Sequence, residues 1–134
     1  PLRVEIGPRD VQNNQAVLAR RDTQEKIIIS QDNFAASVKE TLEAIQNNLF
    51  VRAKKFVAEN THEANNWDEF VIITKKQGGF IRANWCGEAV CEAKVKEKTK
   101  ATIRCIPFDM KAEKGVCVHC GKESKHTVLF AQSY

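Results

Sequence analysis

The chain has 134 residues, of which 43% are hydrophobic and 28% charged, the makeup of one globular domain or two small lobes that can bury a core without cross-links. No run of 18 apolar residues occurs, which excludes a helical membrane span. The net charge of +4 is spread evenly: nine basic against eight acidic residues over 1–60, and twelve against nine over 61–134. That balance permits a nucleic-acid partner without requiring one.

In chain order, Leu2 to Ile6 alternates apolar and polar side chains, the pattern of a half-buried strand, and the opening inside such a run leads us to expect a piece of a longer chain. Gly7 and Pro8 break the strand, and Pro8 to Asp10 suit a first helical turn. "QAVLARR" and "EKIIIS" are β-prone runs separated by the charged "DTQ", which predicts a hairpin. The three isoleucines 27–29 predict a strand covered on both faces. Phe34, Val38, Leu42, Ile45, Leu49, Ala53 and Phe56 recur at spacings of three and four, one face of an α-helix that Asp32 or Asn33 can cap and that "ENTH" ends. Such a helix is a rod of about 40 Å, suited to joining two lobes.

Beyond it, a shorter helix is predicted to begin at Asn66 and to carry Trp67, Phe70, Val71 and Thr74 before "KQGGF" stops it. "FIRANW" reads as a strand, "GEAVCEAKVKEKTK" as a helix, "ATIRCIPF" as a strand closed by Pro107, and "HTVLFAQSY" as a terminal strand. The fold class expected is therefore α/β and α+β: a partial α/β lobe over 1–60, including the long connecting helix, and a small α+β lobe over 61–134 that carries the cysteines.

Five cysteines, an odd number, with no secretory signal argue against a disulfide framework. A redox C-x-x-C needs a helix directly after it. Here glycine follows Cys120, and a polar stretch leads into a strand. A metal uses both pairs. Cys117-x2-Cys120 is a knuckle, while Cys86-x4-Cys91 places one sulfur at a strand end and the other in the first turns of a helix, whose amides would favour thiolate. Four sulfurs at about 2.3 Å close a tetrahedron and leave no site for water, so the zinc would be structural. The 25 residues between the pairs are more than a zinc ribbon ordinarily has. His119 is expected to point away from the sulfurs, Cys105 to be a buried strand thiol, and His62 and His126 to be ordinary surface or strand residues.

Taken together, "PLRVEIGPRD", "ARRDTQEK", "IQNNLFVRA", "CGEAVCE", "ATIRCIPF", "CVHCGK" and "FAQSY" resemble, in this order, the C-terminal part of prolyl-tRNA synthetases of the archaeal/eukaryotic-like type. The resemblance implies a partial mixed-sheet class II anticodon-binding domain followed by a zinc-binding domain with Cys86, Cys91, Cys117 and Cys120 as ligands. It implies a cytoplasmic, homodimeric parent enzyme that binds proline tRNA, with ATP and magnesium used in a catalytic domain none of whose motifs is present here. It further implies that Arg3 and Lys26 contact the anticodon guanines, whose O6 and N7 acceptors suit such donors, and that the Tyr134 carboxylate turns toward the catalytic domain.

Arg9, Arg20 and Arg21 lie near the same stretches and could meet phosphates, which position RNA without reading it. Lys94, Lys96, Lys98 and Lys100 form either a second RNA patch or a solvated helix face. A free-standing zinc-ribbon module for RNA or protein, and a cytosolic thiol oxidoreductase, remain the rival readings of the residues themselves.

Overall fold

The computed structural model describes residues 1–108 and 115–133, and the chain divides into two compact units, 1–55 and 56–134. Tyr134 lies outside the described residues. The first unit contains β1 (Leu2–Glu5), α1 (Pro8–Gln12), β2 (Gln15–Arg20), β3 (Lys26–Ser30) and most of α2 (Phe34–Glu59). α1 starts where its sequence says it should: Pro8 supplies the fixed φ, and the Asp10 carboxylate accepts the Gly7 N–H at 2.8 Å.

β2 is central and pairs antiparallel with both neighbours. Alternation then sorts the residues onto two faces. Val4, Leu18 and Ile27 form one cross-strand row and Ala16 and Ile29 another, with Ala16 and Leu18 fully buried. The opposite face carries the rows Arg3–Ala19–Lys26 and Glu5–Val17–Ile28. Ile28 is 66% exposed, so the isoleucine strand is covered on one face rather than on both. Composition called for burial, but the period of two sends the middle isoleucine outward.

α2 follows a 3-10 turn at Gln31–Asn33, and the Ser30 hydroxyl, rather than Asp32 or Asn33, accepts the N–H of Asp32 at 3.2 Å to open it. Of the apolar stripe, Ile45 is buried, Phe34 and Val38 are half-buried, and Leu42, Leu49 and Phe56 are exposed. What ties the hairpin to this helix is polar. Arg20 donates Nε and Nη2 to the two oxygens of Asp22 at 3.1 and 2.7 Å, and Asn48 of α2 donates to Asp22 Oδ2 at 2.6 Å. The Asp22 side chain is only 1% exposed, so burial is offset by three donors.

The second unit contains β4 (Thr61–Ala64), α3 (Trp67–Lys76), β5 (Phe80–Trp85), α4 (Ala89–Thr99), β6 (Ala101–Cys105) and β7 (His126–Gln132). The sheet order is β4-β5-β7-β6, with β4 parallel to β5 and β7 antiparallel to both of its neighbours. Asn66 caps α3 by accepting the Glu69 N–H at 2.9 Å, and Glu69 accepts the Asn65 N–H in return. α3 and α4 pack on the sheet and on each other. Phe70, Ile73 and Val95 meet Ile81, Ala83, Val128 and Phe130 in one core, where the Phe70 and Phe130 rings lie edge to face at 5.1 Å.

Two further features depart from the sequence reading. β4 forms where "ENTH" was read as the helix end and no strand was expected before Asn66. It is drawn in by β5, whose Phe80 N–H bonds the Asn60 carbonyl at 2.8 Å. Cys105 is exposed rather than buried, because the pairing of β6 with β7 shifts register between Ile103 and Cys105.

Candidate metal centre and nucleic-acid interface

Cys86 directly follows β5, and Cys91 is the third residue of α4. The knuckle is brought to them by backbone bonds to the end of β5: Val118 N–H to the Asn84 carbonyl at 2.9 Å and Lys125 N–H to the Trp85 carbonyl at 2.9 Å. Within the knuckle, Gly121 N–H bonds the Cys117 carbonyl and Cys117 N–H the Lys122 carbonyl, and Val116 bridges Glu123. Docking on β5 therefore closes the long gap between the two cysteine pairs, which sequence spacing alone could not show.

All five cysteines are free thiols. The sulfurs of Cys86, Cys91, Cys117 and Cys120 lie within 4.8 Å of one another, with Cys91–Cys117 at 3.5 Å and Cys86–Cys120 at 3.8 Å. Ligand sulfurs about 2.3 Å from a tetrahedral zinc are about 3.8 Å apart, so the donor set fits such an ion, and the four cysteines could hold a metal. Cys105 is not among the four.

The electrostatics point the same way. Burial pushes the Cys86 and Cys91 thiols up, and for Cys91 the Cys117 and Cys120 sulfurs add to it. The helix N-terminus expected to favour thiolate at Cys91 is thus outweighed by desolvation and by its sulfur neighbours. Burial also raises Cys117, but the N–H groups of Cys120, His119 and Cys86 directed at its sulfur more than reverse this and lower it to about 7. One sulfur of the set ionises readily, and its charge then opposes ionisation of the next. A cation is what lets all four ionise together.

His119 does not point away from the sulfurs. Its Nδ1 lies 3.3 Å from Cys91 Sγ, while its ring stands edge-on to Trp67 at 4.9 Å. Burial lowers its pKa, and the nearby charges of Lys98 and Lys94 lower it further. Trp85 packs against the cysteine cluster, and its Nε1 is buried without a partner among the described residues. His62 lies in β4, and His126 opens β7 against the Trp85 ring. Lys98 sits over Trp67 at 5.6 Å, while Lys94 and Lys122 line a cleft of about 320 Å³ beside the sulfurs.

On the exposed face of the first unit's sheet, Arg3 and Lys26 flank Ala19 in one cross-strand row. Lys26 Nζ donates to Glu5 Oε2 at 2.8 Å and Arg3 Nε to Glu5 Oε1 at 2.9 Å. These bonds, Lys26's first, hold the Glu5 carboxyl below the usual carboxylate range. The two cations stay 70% and 58% exposed and, with Ala19, Arg21 and Gln24, line a cleft of about 220 Å³. Arg21 is exposed there, Arg9 is exposed on α1, and Arg20 is committed to Asp22. The sequence reading missed Glu5 and Asp22. Glu5 could have been found, because it stands two residues after Arg3 on the same strand face. Asp22 stands in the same way two residues after Arg20, so that pair too could have been found, but its second donor, Asn48, comes from a distant helix and could not.

A small sheet that exposes Arg3 and Lys26, and a second sheet closed at one end by four converging cysteines, suit the C-terminal region of an aminoacyl-tRNA synthetase. Consistent with this, residues 1–41 match the model of the anticodon binding domain. Residues 67–134 match the model described as prolyl-tRNA synthetase, C-terminal, and the chain belongs to that family. Over all 134 residues it is 46% identical to a proline–tRNA ligase of Clostridium botulinum (strain ATCC 19397 / Type A), 45% to one of Lachnoclostridium phytofermentans and 45% to proline–tRNA ligase 2 of Clostridioides difficile. The chain spans 28% of the length of these relatives. Among the described residues, no helix is long and apolar enough to cross a membrane.

Proposed function

We propose that residues 1–134 are the tRNA-recognising and zinc-stabilised portion of a cytoplasmic, homodimeric proline–tRNA ligase, which joins proline to its tRNA using ATP. In this reading residues 1–60, with the long helix, are a C-terminal portion of the anticodon-binding domain, and residues 61–134 are the zinc-binding domain. ATP and magnesium are used in parts of the enzyme outside these residues, which carry out no chemistry of their own.

The observation that carries this reading is the pairing of Arg3 and Lys26 across the small Ala19, in the unit that matches the anticodon-binding model. Two exposed donors beside a shallow cleft suit the O6 and N7 acceptors of an unstacked guanine. Glu5 holds both donors extended in the absence of RNA, and Arg21 at the rim supplies charge for a phosphate. Arg9 is exposed and can add to that charge. Arg20, bonded to Asp22, has a structural task instead.

Cys86, Cys91, Cys117 and Cys120 would hold the zinc, which supplies charge compensation and cross-linking rather than reactivity, since four thiolates leave no open position. Structural zinc contributes roughly 10–16 kcal/mol in finger peptides at neutral pH, so it would hold α4 and the knuckle on β5. The test is elemental analysis of protein purified without chelator, together with proline-tRNA binding by the full-length enzyme. One zinc per chain, and binding that weakens when the anticodon guanines are replaced, are expected. Absence of zinc, or indifference to the anticodon, overturns the corresponding half of the reading.

A further inference from the structure

We propose that His119 is a positioning residue for the metal centre, donating its Nδ1–H to the Cys91 sulfur and so joining the metal site to the aromatic end of the core. This rests on the reading that the four cysteines bind zinc. The geometry has two parts. Nδ1 lies 3.3 Å from Cys91 Sγ, within reach of an N–H···S bond. The ring's orientation is fixed independently, because it stands edge-on to Trp67 at 4.9 Å, and Trp67 stacks on the fully buried Phe70 at 5.6 Å.

Apart from the other sulfurs, the side chain that reaches the Cys91 sulfur is that of His119. A thiolate bound to a metal keeps lone pairs that accept such donors, and the donors tune both its orientation and its electron donation. His119 is placed to do this for Cys91. Because Cys91 belongs to α4 and His119 to the knuckle, the bond also ties together the two elements that the metal bridges.

The test uses three forms of the 134-residue chain: wild type, His119→Phe, which keeps an aromatic ring against Trp67 without a donor, and His119→Asn, whose amide N–H can take the place of Nδ1–H. Each is loaded with cobalt(II), and the sulfur-to-cobalt charge-transfer band is recorded. Each is then loaded with zinc, and the rate of zinc loss to excess chelator is measured.

Wild type should show the intense charge-transfer bands of a tetrathiolate site. Their absence would overturn the metal reading itself, and the present proposal with it. Given those bands, His119→Phe should still bind one metal, but with the band shifted to lower energy and chelator loss faster by about tenfold, in the range that outer partners of metal ligands command. His119→Asn should return both values most of the way to wild type. An unshifted band with unchanged zinc loss in His119→Phe would overturn the role of His119 while leaving zinc in place. So would equal impairment of the Asn and Phe variants, which would mark His119 as a packing residue alone.

Discussion

Arg3 and Lys26 stand on the two outer strands of a three-stranded sheet, and each grips a different oxygen of the one carboxylate between them, that of Glu5. The cross-strand register puts Ala19, and nothing larger, in the middle of the row. Two cations that would repel each other are thereby held side by side with their donors still accessible.

If this pair reads guanine, Arg3→Ala in a full-length prolyl-tRNA synthetase carrying this region should cost about 1–3 kcal/mol with proline tRNA and relax discrimination at one anticodon position. A phosphate contact would instead weaken all tRNAs alike and lessen the dependence of binding on salt. Aminoacylation kinetics with matched and anticodon-swapped tRNAs separate the two. Equal loss with both would reassign Arg3 to the backbone.

Asp22 gives a pH dependence with a definite sign. Its pKa is depressed, first by the bonds from Arg20 and then by that from Asn48. A depressed carboxylate contributes stability that is complete above its unfolded value of about 3.9 and is lost as pH falls from there toward the folded value. Asp22→Asn should therefore lower the melting temperature of the first unit at pH 7, by a margin that shrinks between about pH 4 and pH 2. A difference between variant and wild type that stays constant over that range would show that Asp22 acts through packing rather than charge.

The exposed Cys105 predicts the order of thiol labelling. With metal bound, a maleimide should modify Cys105 first, and Cys105→Ser should abolish that fast phase without changing metal content. After chelation Cys86, Cys91, Cys117 and Cys120 should all become reactive, because the lobe that the metal holds together opens. Mass spectrometry of quenched samples reads this directly, and loss of metal in Cys105→Ser would mean that the wrong four sulfurs have been assigned.

Adjacent glycines supply a controlled comparison. Gly78 and Gly79 both have positive φ, but a Cβ on Gly78 would meet nothing within 4 Å, whereas one on Gly79 would lie 2.3 Å from the Asn60 carbonyl oxygen. Gly78→Ala should cost about 1–2 kcal/mol, the ordinary left-handed penalty. Gly79→Ala should cost clearly more, because it also pushes apart the start of β4 and β5. Denaturant midpoints for the two variants check this, and equal costs would mean that the turn relaxes freely.

The sequence by itself determined whatever depends on neighbours within a few residues. The three-and-four spacing from Phe34 to Phe56 specified α2, Asn66 with Glu69 specified the start of α3, and the Gly78–Gly79 pair its end. The alternation in Leu2–Glu5 and Phe80–Trp85 specified strands, and the two cysteine spacings named the four sulfurs that converge. These are readable because propensity, capping and periodicity act locally.

Tertiary structure alone decided the rest. β4 is a strand because β5 pairs with it, although "THEA" carries no strand pattern. Cys105 is exposed because a register shift intervenes before it, and Ile28 is exposed because its row falls on the open face. Asp22 anchors the hairpin to α2 because Asn48, from a helix 26 residues beyond it, joins Arg20 on the same carboxylate. His119 reaches the Cys91 sulfur, 28 residues away in the chain, because backbone bonds dock the knuckle on the end of β5. In each case the deciding partner is distant in sequence, and register, docking and burial, which choose such partners, leave no mark in the local pattern.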